Sequence, residues 1–201
     1  MSDAFAPVEP RDRKGTRVLL LRHAESAWNA EGRWQGRADP ALSPAGRAAA
    51  LRAGTRLPSF RSIACSDLER ARETARLIAR SWTGACLAWV TPLLQERTVG
   101  PWEGLTREQI ESRWPGYLAD GRRPEGFESD DSVLRRLRDA LAALERRFPG
   151  GRVLCVTHGG LVHALESWAG LPRTRLENLA GRWVTVQDSA VALGARQGPA
   201  A

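Results

Sequence analysis

Short apolar runs alternate along this chain with longer segments in which apolar positions recur at helical spacing. The short runs predict five strands, at residues 18–21, 63–65, 87–90, 153–156 and 183–187. The longer segments predict helices at residues 44–57, 67–82, 106–114, 130–148 and 161–169. This alternation predicts a three-layer α/β fold, in which helices cover both faces of a mostly parallel central sheet.

Several of the predicted helices begin at capping signals. Ser43 precedes a first-turn proline, and Ser129 precedes two aspartates whose charge suits a helix amino end. Ser66, with Glu69 three residues on, forms a capping-box pattern. This pattern predicts a helix start that places Arg70 in the first turn, beside backbone amides that favour an anion.

The length of 201 residues suits one domain. No internal repeat or low-complexity linker interrupts residues 16–193, so we expect a single domain there. Residues 1–15 contain prolines and charges without the apolar centre of a signal peptide, and we expect a disordered lead-in there and a disordered tail at residues 194–201. No apolar run approaches the roughly 20 residues that span a bilayer, so we expect no membrane segment.

The net charge of +7 raises the question of a nucleic-acid partner, because basic proteins attract nucleic acids. The charge is dispersed along the predicted helices and no recognition motif is present, so we expect no specific nucleic-acid partner. Cys65, Cys86 and Cys155 are odd in number, widely spaced and placed in predicted strands. This spacing argues against disulfides and a metal site, and we expect a cytoplasmic protein.

Two predicted strands end in a histidine. The first leads into Arg22 and His23, with Asn29 six residues beyond the histidine. The second leads into His158, which two glycines follow, beginning with Gly159. Strand ends in α/β proteins present chemical groups to the crevice outside the sheet, and glycines let a ligand approach the backbone closely.

A further candidate segment is the loop at residues 94–104, which Gly and Pro interrupt and where we expect neither helix nor strand. It carries two acidic residues, Glu96 and Glu103. Loops of this kind hold functional side chains on a rigid scaffold.

These segments, in this order, resemble the motifs of the histidine phosphatase superfamily, the phosphoglycerate-mutase-like enzymes, over about residues 17–192. The resemblance implies that His23 accepts the phosphoryl group and that Glu96 donates a proton to the leaving oxygen. It assigns the phosphate pocket to Arg22, Asn29, Arg70 and His158. Matching stretches at residues 33–36, 39–43 and 124–129 accompany it, and the candidate substrate-pocket residues are Gln35, Gly36, Glu103 and Gly159. Ala24 replaces the commoner glycine, and we expect the pocket to tolerate this small residue.

The chemistry explains these residue types. Phosphoryl transfer spreads negative charge over equatorial oxygens, which Arg22 and Arg70 can bind bidentately. His23 must attack through a neutral nitrogen, so a hydrogen bond from its other nitrogen should fix its tautomer. We expect a protonated His158 to oppose the developing charge. Glu96 would act first as general acid and then as base for the attacking water. No metal or other cofactor is needed.

The leading hypothesis is therefore a metal-independent phosphomonoesterase acting on a small-molecule phosphate monoester. Within the family, a phosphoglycerate mutase is the alternative, although mutases generally carry a longer insertion than the 62 positions that separate Glu96 from His158 here. A non-catalytic phosphate- or phosphopeptide-binding module is a further alternative, against which the retained residues weigh. The sequence leaves open whether the protein is a monomer or a homodimer. His163 could support the site or act in it, although a supporting role is favoured. The loop tryptophans that could border the pocket or pack elsewhere are Trp28, Trp34, Trp102 and Trp114.

Overall fold

The computed structural model describes residues 15–200. Its strands are β1 (Thr16–Arg22), β2 (Ser62–Ser66), β3 (Cys86–Thr91), β4 (Arg152–Thr157), β5 (Gly181–Gln187) and β6 (Ala190–Gln197). Its α-helices are α1 (Ala27–Ala30), α2 (Pro44–Arg56), α3 (Glu69–Ala79), α4 (Arg107–Arg113), α5 (Asp130–Arg147) and α6 (Gly159–Trp168). Two single-turn 3₁₀ helices, Pro92–Leu94 and Gly100–Trp102, lie between β3 and α4.

The strands form one sheet in the order β3-β2-β4-β1-β5-β6. The pairs β3–β2, β2–β4 and β4–β1 are parallel, whereas β5 is antiparallel to both of its neighbours. The prediction of a mostly parallel α/β sheet is confirmed. The parallel part places the carboxyl ends of β1 and β4 side by side, and both predicted histidines follow these ends.

Both faces of β1 are buried, which explains its continuous apolar run, because parallel strands are covered on both sides. Successive side chains point to opposite faces. Val18 and Leu20 belong to the core that includes residues of α5 and α6. Leu19 and Leu21 belong to the opposite core, which includes residues of α2 and α3. The sheet therefore has a core on each face, as the three-layer prediction requires.

The end of the chain differs from the prediction. Residues 194–197, which we expected in a disordered tail, belong to β6, and beyond it the Ala200 N–H donates to the Leu179 carbonyl at 3.1 Å. A two-residue hairpin turn joins β5 to β6, with positive φ angles at Asp188 (50°) and Ser189 (64°). As an edge strand, β6 has one pairing partner and lacks a strong apolar run, so its hydrophobic pattern is weak. Residues 1–14 of the expected lead-in lie outside the described residues.

The start of α3 also differs from the prediction. Its N-cap residue is Leu68, and the expected capping box at Ser66 is wrong, because the Ser66 hydroxyl instead accepts from the Leu68 N–H at 3.2 Å. A carboxylate from another segment takes over the cap: Asp39 accepts the N–H groups of Glu69 (2.6 Å) and Arg70 (3.5 Å). Arg70 does lie in the first turn, as predicted, but the amides beside it are bonded to Asp39.

Three short helical segments were not predicted. Helix α1 has only four residues, and the 3₁₀ turns Pro92–Leu94 and Gly100–Trp102 have three residues each, the second in the loop where we expected no helix. All three are too short to show a helical period in the sequence. Within residues 15–200, no helix is long and apolar enough to cross a membrane.

Candidate active site

A cavity of about 820 Å³ lies where β1 and β4 end. Its wall includes Arg22 and His23 at the end of β1 and Arg70 at the start of α3. We call these three residues the phosphoryl pocket. Glu96 from the loop after β3 and Gly160 from α6 also line the cavity. The volume is in the range of small-molecule sites.

His23 is held in one tautomer. Its Nδ1 lies 2.7 Å from the Ala24 carbonyl oxygen, which can only accept, so Nδ1 carries the proton. Its Nε2 accepts a hydrogen bond from Nε of Arg70 at 3.3 Å. Burial lowers the pKa of His23 well below its ordinary value, and the charges of Arg70 and Arg22 lower it further. The ring is therefore neutral near pH 7, with the lone pair on Nε2, as a nucleophile requires.

Arg70 is fully buried and held by backbone carbonyls. Its Nη1 donates to the Ala38 oxygen at 2.7 Å and its Nη2 to the Gly36 oxygen at 3.0 Å. Its Nη1 also lies 3.3 Å from an Asp39 carboxylate oxygen. Burial lowers the pKa of Arg70, but an arginine stays charged under these conditions. The site thus contains a fixed positive charge directly beside Nε2 of His23.

Glu103 supports the loop that holds Arg70. Its Oε2 accepts the backbone N–H groups of Arg37 (2.9 Å) and Ala38 (3.0 Å). Gly36 lines the cavity at a positive φ of 53°, and a Cβ there would come within 2.6 Å of the same Glu103 oxygen. Glu103, a candidate substrate-pocket residue in the sequence, is not among the cavity-lining residues. Glu103 instead stabilises the backbone at Arg37 and Ala38, next to the carbonyls that bind Arg70.

Arg22 directly precedes His23 in the chain and also lines the cavity. Its Nη1 donates to the Leu176 carbonyl at 2.6 Å. Burial lowers its pKa, and the negative charge of Glu96 opposes that shift. Arg22 is thus fixed at one end by the backbone and faces an acid across the cavity.

Asn29 and Gln35 both line the cavity, and Ser26 fixes both. Asn29 Oδ1 accepts the Ser26 N–H at 3.2 Å in the capping box of α1, and it also accepts from Asn178 Nδ2 at 3.1 Å. Gln35 Oε1 accepts from the Ser26 hydroxyl at 2.9 Å. The same Asn178 Nδ2 donates to the His23 carbonyl at 2.8 Å. Asn29 is therefore both a cap and a wall residue, and sequence reasoning did not identify Asn178.

Glu96 sits at the amino end of α6. Its Oε2 accepts the Gly160 N–H at 3.0 Å, and its Oε1 accepts the Arg97 N–H at 2.8 Å. A Cβ on Gly160 would collide with Oε1, so this position must be glycine while Glu96 stays in place. The sequence pointed to Gly159 as the pocket glycine, but Gly160 lines the cavity and Gly159 does not.

His158 is fully buried at the N-cap of α6, with its ring centroid 5.1 Å from that of His23. Both of its ring nitrogens lack a hydrogen-bond partner among the described residues. Burial lowers its pKa well below the ordinary value, and the charge of Arg70 adds to this. The His158 ring is therefore neutral in the substrate-free protein, and its protonated form during phosphoryl transfer stays a prediction. Buried ring nitrogens without partners are rare, and His158 is not among the residues that line the cavity.

The sequence of this chain matches the family model of the histidine phosphatase superfamily (branch 1) over residues 18–188, which is most of the chain. The chain belongs to this superfamily.

Named relatives agree with this placement. The chain is 37% identical to a metal-independent phosphoserine phosphatase of Arabidopsis thaliana, over 75% of this chain and 67% of the relative. It is 36% identical to a probable phosphoglycerate mutase GpmB of Escherichia fergusonii, over 86% of each chain. The structure of mycobacterial glucosyl-3-phosphoglycerate phosphatase in complex with VO3 superposes with a TM-score of 0.78 at 30% identity, covering 90% of this chain and 99% of that one. Family and phosphatase-named relatives together support a phosphatase enzyme.

His163 also lines the cavity. Its Nδ1 lies 3.9 Å from a carboxylate oxygen of Glu166, which is 2% exposed and bonded to Arg182 and Arg196. Burial lowers the pKa of His163, and the charge of Arg173 lowers it further. Its Nδ1 has no hydrogen-bond partner among the described residues, and the supporting role stays a prediction.

One of the four loop tryptophans lines the cavity, and the other three pack elsewhere. Trp34 lines the cavity and contacts Trp102 edge-on, with ring centroids 5.2 Å apart. Trp102 is fully buried, and Trp114 and Phe127 pack with it in a small separate core. Trp28 is not among the lining residues and lies against Gly104. Trp34 is therefore the one of the four available to a ligand in the cavity.

Four arginines on the cavity wall were not identified from the sequence: Arg97, Arg123, Arg173 and Arg175. Two of them had a local signal, because Arg123 directly precedes the matched stretch at residues 124–129 and Arg97 directly follows Glu96 in the candidate loop at residues 94–104. Arg173 and Arg175 lie in a segment without a motif, and only the fold brings them to the cavity.

Proposed function

We propose that this histidine phosphatase superfamily member hydrolyses small phosphate monoesters through a phosphohistidine formed on Nε2 of His23. The observation that carries this proposal is the fixed tautomer of His23. The Ala24 carbonyl holds the proton on Nδ1 at 2.7 Å, and the Nε2 lone pair faces Arg70 at 3.3 Å. A neutral nitrogen beside a buried positive charge suits attack on a phosphorus atom whose oxygens need charge stabilisation.

In the first step, Nε2 of His23 attacks phosphorus while the ester P–O bond breaks. The departing oxygen takes the proton of protonated Glu96, so the alcohol leaves neutral and Glu96 becomes a carboxylate. Arg22 and Arg70 bind the phosphoryl oxygens. The shared placement supports these roles, because Arg22, Arg70 and Glu96 all line the same cavity as His23.

In the second step, the Glu96 carboxylate removes a proton from a water molecule as its oxygen attacks phosphorus. The N–P bond breaks and its electron pair returns to Nε2 of His23. Inorganic phosphate leaves, and Glu96 is again protonated for the next cycle. The two backbone N–H groups that hold Glu96 keep its carboxyl in place for both steps.

His158 contributes to the phosphoryl site in this proposal. Burial and the charge of Arg70 keep it neutral in the free protein. A phosphate dianion bound at His23 opposes both effects and offers acceptor oxygens to the unpartnered ring nitrogens. When the substrate binds, His158 therefore gains a second N–H and can donate from either ring nitrogen to a phosphoryl oxygen.

The substrate proposed is a small phosphorylated metabolite. Relatives named for phosphoserine and for glucosyl-3-phosphoglycerate support this size class. We further propose that the enzyme needs no metal or other cofactor and works in the cytoplasm, as a monomer or a homodimer. Phosphoglycerate mutase activity is the second candidate, because a relative with 36% identity carries that name.

The test is release of inorganic phosphate from para-nitrophenyl phosphate and a panel of metabolite phosphates, with EDTA present. His23→Ala should abolish release, whereas His163→Ala, a change at a wall histidine outside the chemistry, should retain it. Interconversion of phosphoglycerates without phosphate release would favour the mutase. Substantial release by His23→Ala would refute the nucleophile assignment, and binding without any turnover would leave a phosphate-binding module.

A further inference from the structure

A short segment between α6 and β5, residues 176–180, packs against the end of β1, and we call it the support segment. Its backbone binds Arg22 in three places. The Leu176 carbonyl accepts from Nη1 of Arg22 at 2.6 Å, and the Ala180 carbonyl accepts the Arg22 backbone N–H at 2.9 Å. The Leu179 N–H donates to the Arg22 carbonyl at 3.1 Å. The support segment therefore holds the residue that directly precedes the proposed nucleophile.

The backbone of the support segment is strained at Leu179. Its φ of 59° lies in the left-handed region, which a leucine rarely adopts. The side chain is buried in the core that includes residues of α2 and α3, and the carbonyl accepts the Ala200 N–H at 3.1 Å. Backbone outliers held in this way are concentrated at functional sites, which directs attention to the neighbouring side chain.

That neighbour is Asn178, whose side chain joins two parts of the site. Its Nδ2 donates to the His23 carbonyl at 2.8 Å and to Oδ1 of Asn29 at 3.1 Å. An amide nitrogen carries two hydrogens, so both bonds form at once. Asn178 is not among the residues that line the cavity. Any effect of Asn178 on a ligand must therefore pass through His23 or Asn29.

His23 stays in place without Asn178, because other groups hold it. Its backbone N–H donates to the Thr157 carbonyl at 2.9 Å, and its ring is fixed by the Ala24 carbonyl and Arg70. The next residue is held as well, since the Ala24 N–H donates to the Thr74 hydroxyl at 3.0 Å.

The Asn29 side chain depends on Asn178 more strongly. Its Oδ1 accepts from the Ser26 N–H at 3.2 Å and from Asn178, and these are its two side-chain hydrogen bonds within residues 15–200. Both partner atoms are donors, so this branch of the amide is the oxygen and the other branch is the NH₂ group. Because Asn29 lines the cavity, the NH₂ group is left for a ligand there. Without Asn178, only the Ser26 N–H would oppose a flip of the amide.

We propose that Asn178 is a positioning residue, which fixes the amide of Asn29 so that its NH₂ group donates to a phosphoryl oxygen bound beside His23. This inference rests on the proposed function, because the oxygen belongs to the phosphoryl group that would occupy the phosphoryl pocket. The orientation matters because an NH₂ group attracts this anion, whereas the oxygen of a flipped amide would repel it.

The test is a double-mutant cycle with para-nitrophenyl phosphate. Asn29→Ala should lower kcat/KM by about tenfold to a hundredfold, since it removes a hydrogen bond to a charged group. Asn178→Ala should lower it by about threefold to tenfold, because the Asn29 amide would then be correctly oriented for only part of the time. In the Asn29→Ala background, Asn178→Ala should change kcat/KM by less than about twofold. Equal losses in both backgrounds would overturn the proposal.

Asn178→Leu separates hydrogen bonding from packing, because leucine has a similar volume but no donor. It should lose as much activity as Asn178→Ala, and recovery of wild-type activity would overturn the proposal. Glu177→Ala is the matched control, since Glu177 is the exposed neighbour of Asn178 and is not on the cavity wall. It should keep wild-type activity, and a loss equal to that of Asn178→Ala would reduce the effect to disturbance of the support segment.

Nuclear magnetic resonance of the unaltered protein provides a test that needs no variant to fold. Titration with inorganic phosphate should shift the side-chain NH₂ resonances of Asn29, because these hydrogens gain an acceptor. The Asn178 NH₂ resonances should move less, since their partners stay the same. Saturation with phosphate without a change at the Asn29 NH₂ group would overturn the proposal.

Binding of inorganic phosphate, measured by calorimetry, separates this inference from the proposed function. If Asn29→Ala and Asn178→Leu both weaken binding but the wild type hydrolyses no ester, the positioning role stands and the proposed hydrolysis fails. If the wild type hydrolyses para-nitrophenyl phosphate in a His23-dependent way but both Asn178 variants bind and hydrolyse like it, the positioning role fails and the proposed function stands.

Discussion

Replacing Glu96 by Gln should slow the two chemical steps to different extents, depending on the leaving group. The variant cannot donate a proton, so an alkyl phosphate, whose leaving alkoxide is strongly basic, should lose about 10²- to 10⁴-fold in rate. This corresponds to about 3 to 5 kcal/mol of transition-state stabilisation. The nitrophenolate of para-nitrophenyl phosphate leaves without a proton, so phosphorylation of His23 should be nearly as fast as in the wild type.

The second step needs Glu96 as base whatever the leaving group was. With para-nitrophenyl phosphate, Glu96→Gln should therefore give a rapid burst of one nitrophenol per active site, followed by slow turnover. Stopped-flow absorbance measures both phases. Glycerol 3-phosphate should show no burst in a quenched-flow assay of the same variant.

Glu96→Gln should also cause a small loss of rate with every substrate, through a change in geometry. This loss must be separated from the loss of proton donation. Both oxygens of Glu96 accept backbone N–H groups, so the amide of a glutamine would turn its NH₂ toward one of these donors and shift slightly. Such a shift affects all substrates alike, whereas the acid role affects only poor leaving groups.

Glu103→Gln is the matched control for Glu96→Gln. A single oxygen of Glu103 accepts both of its backbone donors, and the glutamine oxygen can replace it. This variant should show a similar, small loss with both substrates and no burst. If Glu96→Gln slowed the first step equally for alkyl and aryl phosphates, Glu96 would not be the general acid.

Three further predictions follow from the packing and charge of the site. Gly160→Ala should lower kcat by at least about tenfold, because its Cβ would displace the Glu96 carboxylate, the proposed general acid. Gly159→Ala, whose Cβ would have only an ordinary 3.7 Å contact, should stay active, and steady-state kinetics on both variants tests this. Asp39→Ala should lower the free energy of unfolding by about 0.5–2 kcal/mol in urea titrations, through loss of the α3 cap, and an unchanged value would refute the cap. His23 and His158 have lowered pKa values when folded, so the unfolded chain binds protons first and stability falls as the pH drops below about 6.5, by up to about 1.4 kcal/mol per pH unit for each histidine. His158→Gln should have a shallower slope than the wild type in unfolding titrations between pH 8 and 5, and equal slopes would contradict the shift.

The sequence predicted those parts of the site that local pattern determines. A buried parallel strand reads as an unbroken apolar run, so the ends of β1 and β4, and with them His23 and His158, could be located. Arg70 was placed correctly in the first turn of α3, although its cap was assigned to the wrong residue. That error has a physical cause, since Asp39 lies about thirty positions away and only the tertiary fold brings it to the helix.

Features that depend on tertiary contacts were not predicted. Glu96 and Glu103 are both acidic residues of the same loop. Only the structure shows that Glu96 lines the cavity, whereas Glu103 accepts backbone N–H groups outside it. The sequence also could not show that burial and Arg70 lower the pKa of His158 in the free protein, because both depend on the tertiary structure. Arg173 comes to the cavity through a segment fixed by distant carbonyl contacts, which no local pattern shows.

The phosphohistidine is the central claim, and trapping it is the most direct test. Glu96→Gln mixed with para-nitrophenyl phosphate, quenched in alkali and digested with trypsin, should yield a phosphorylated peptide that begins at His23, since cleavage follows Arg22. Fragment-ion mass spectrometry should place the phosphoryl group on the histidine, and mild acid should remove it. A phosphoryl group on the His158 peptide, or full turnover with no covalent species at any time, would contradict the account.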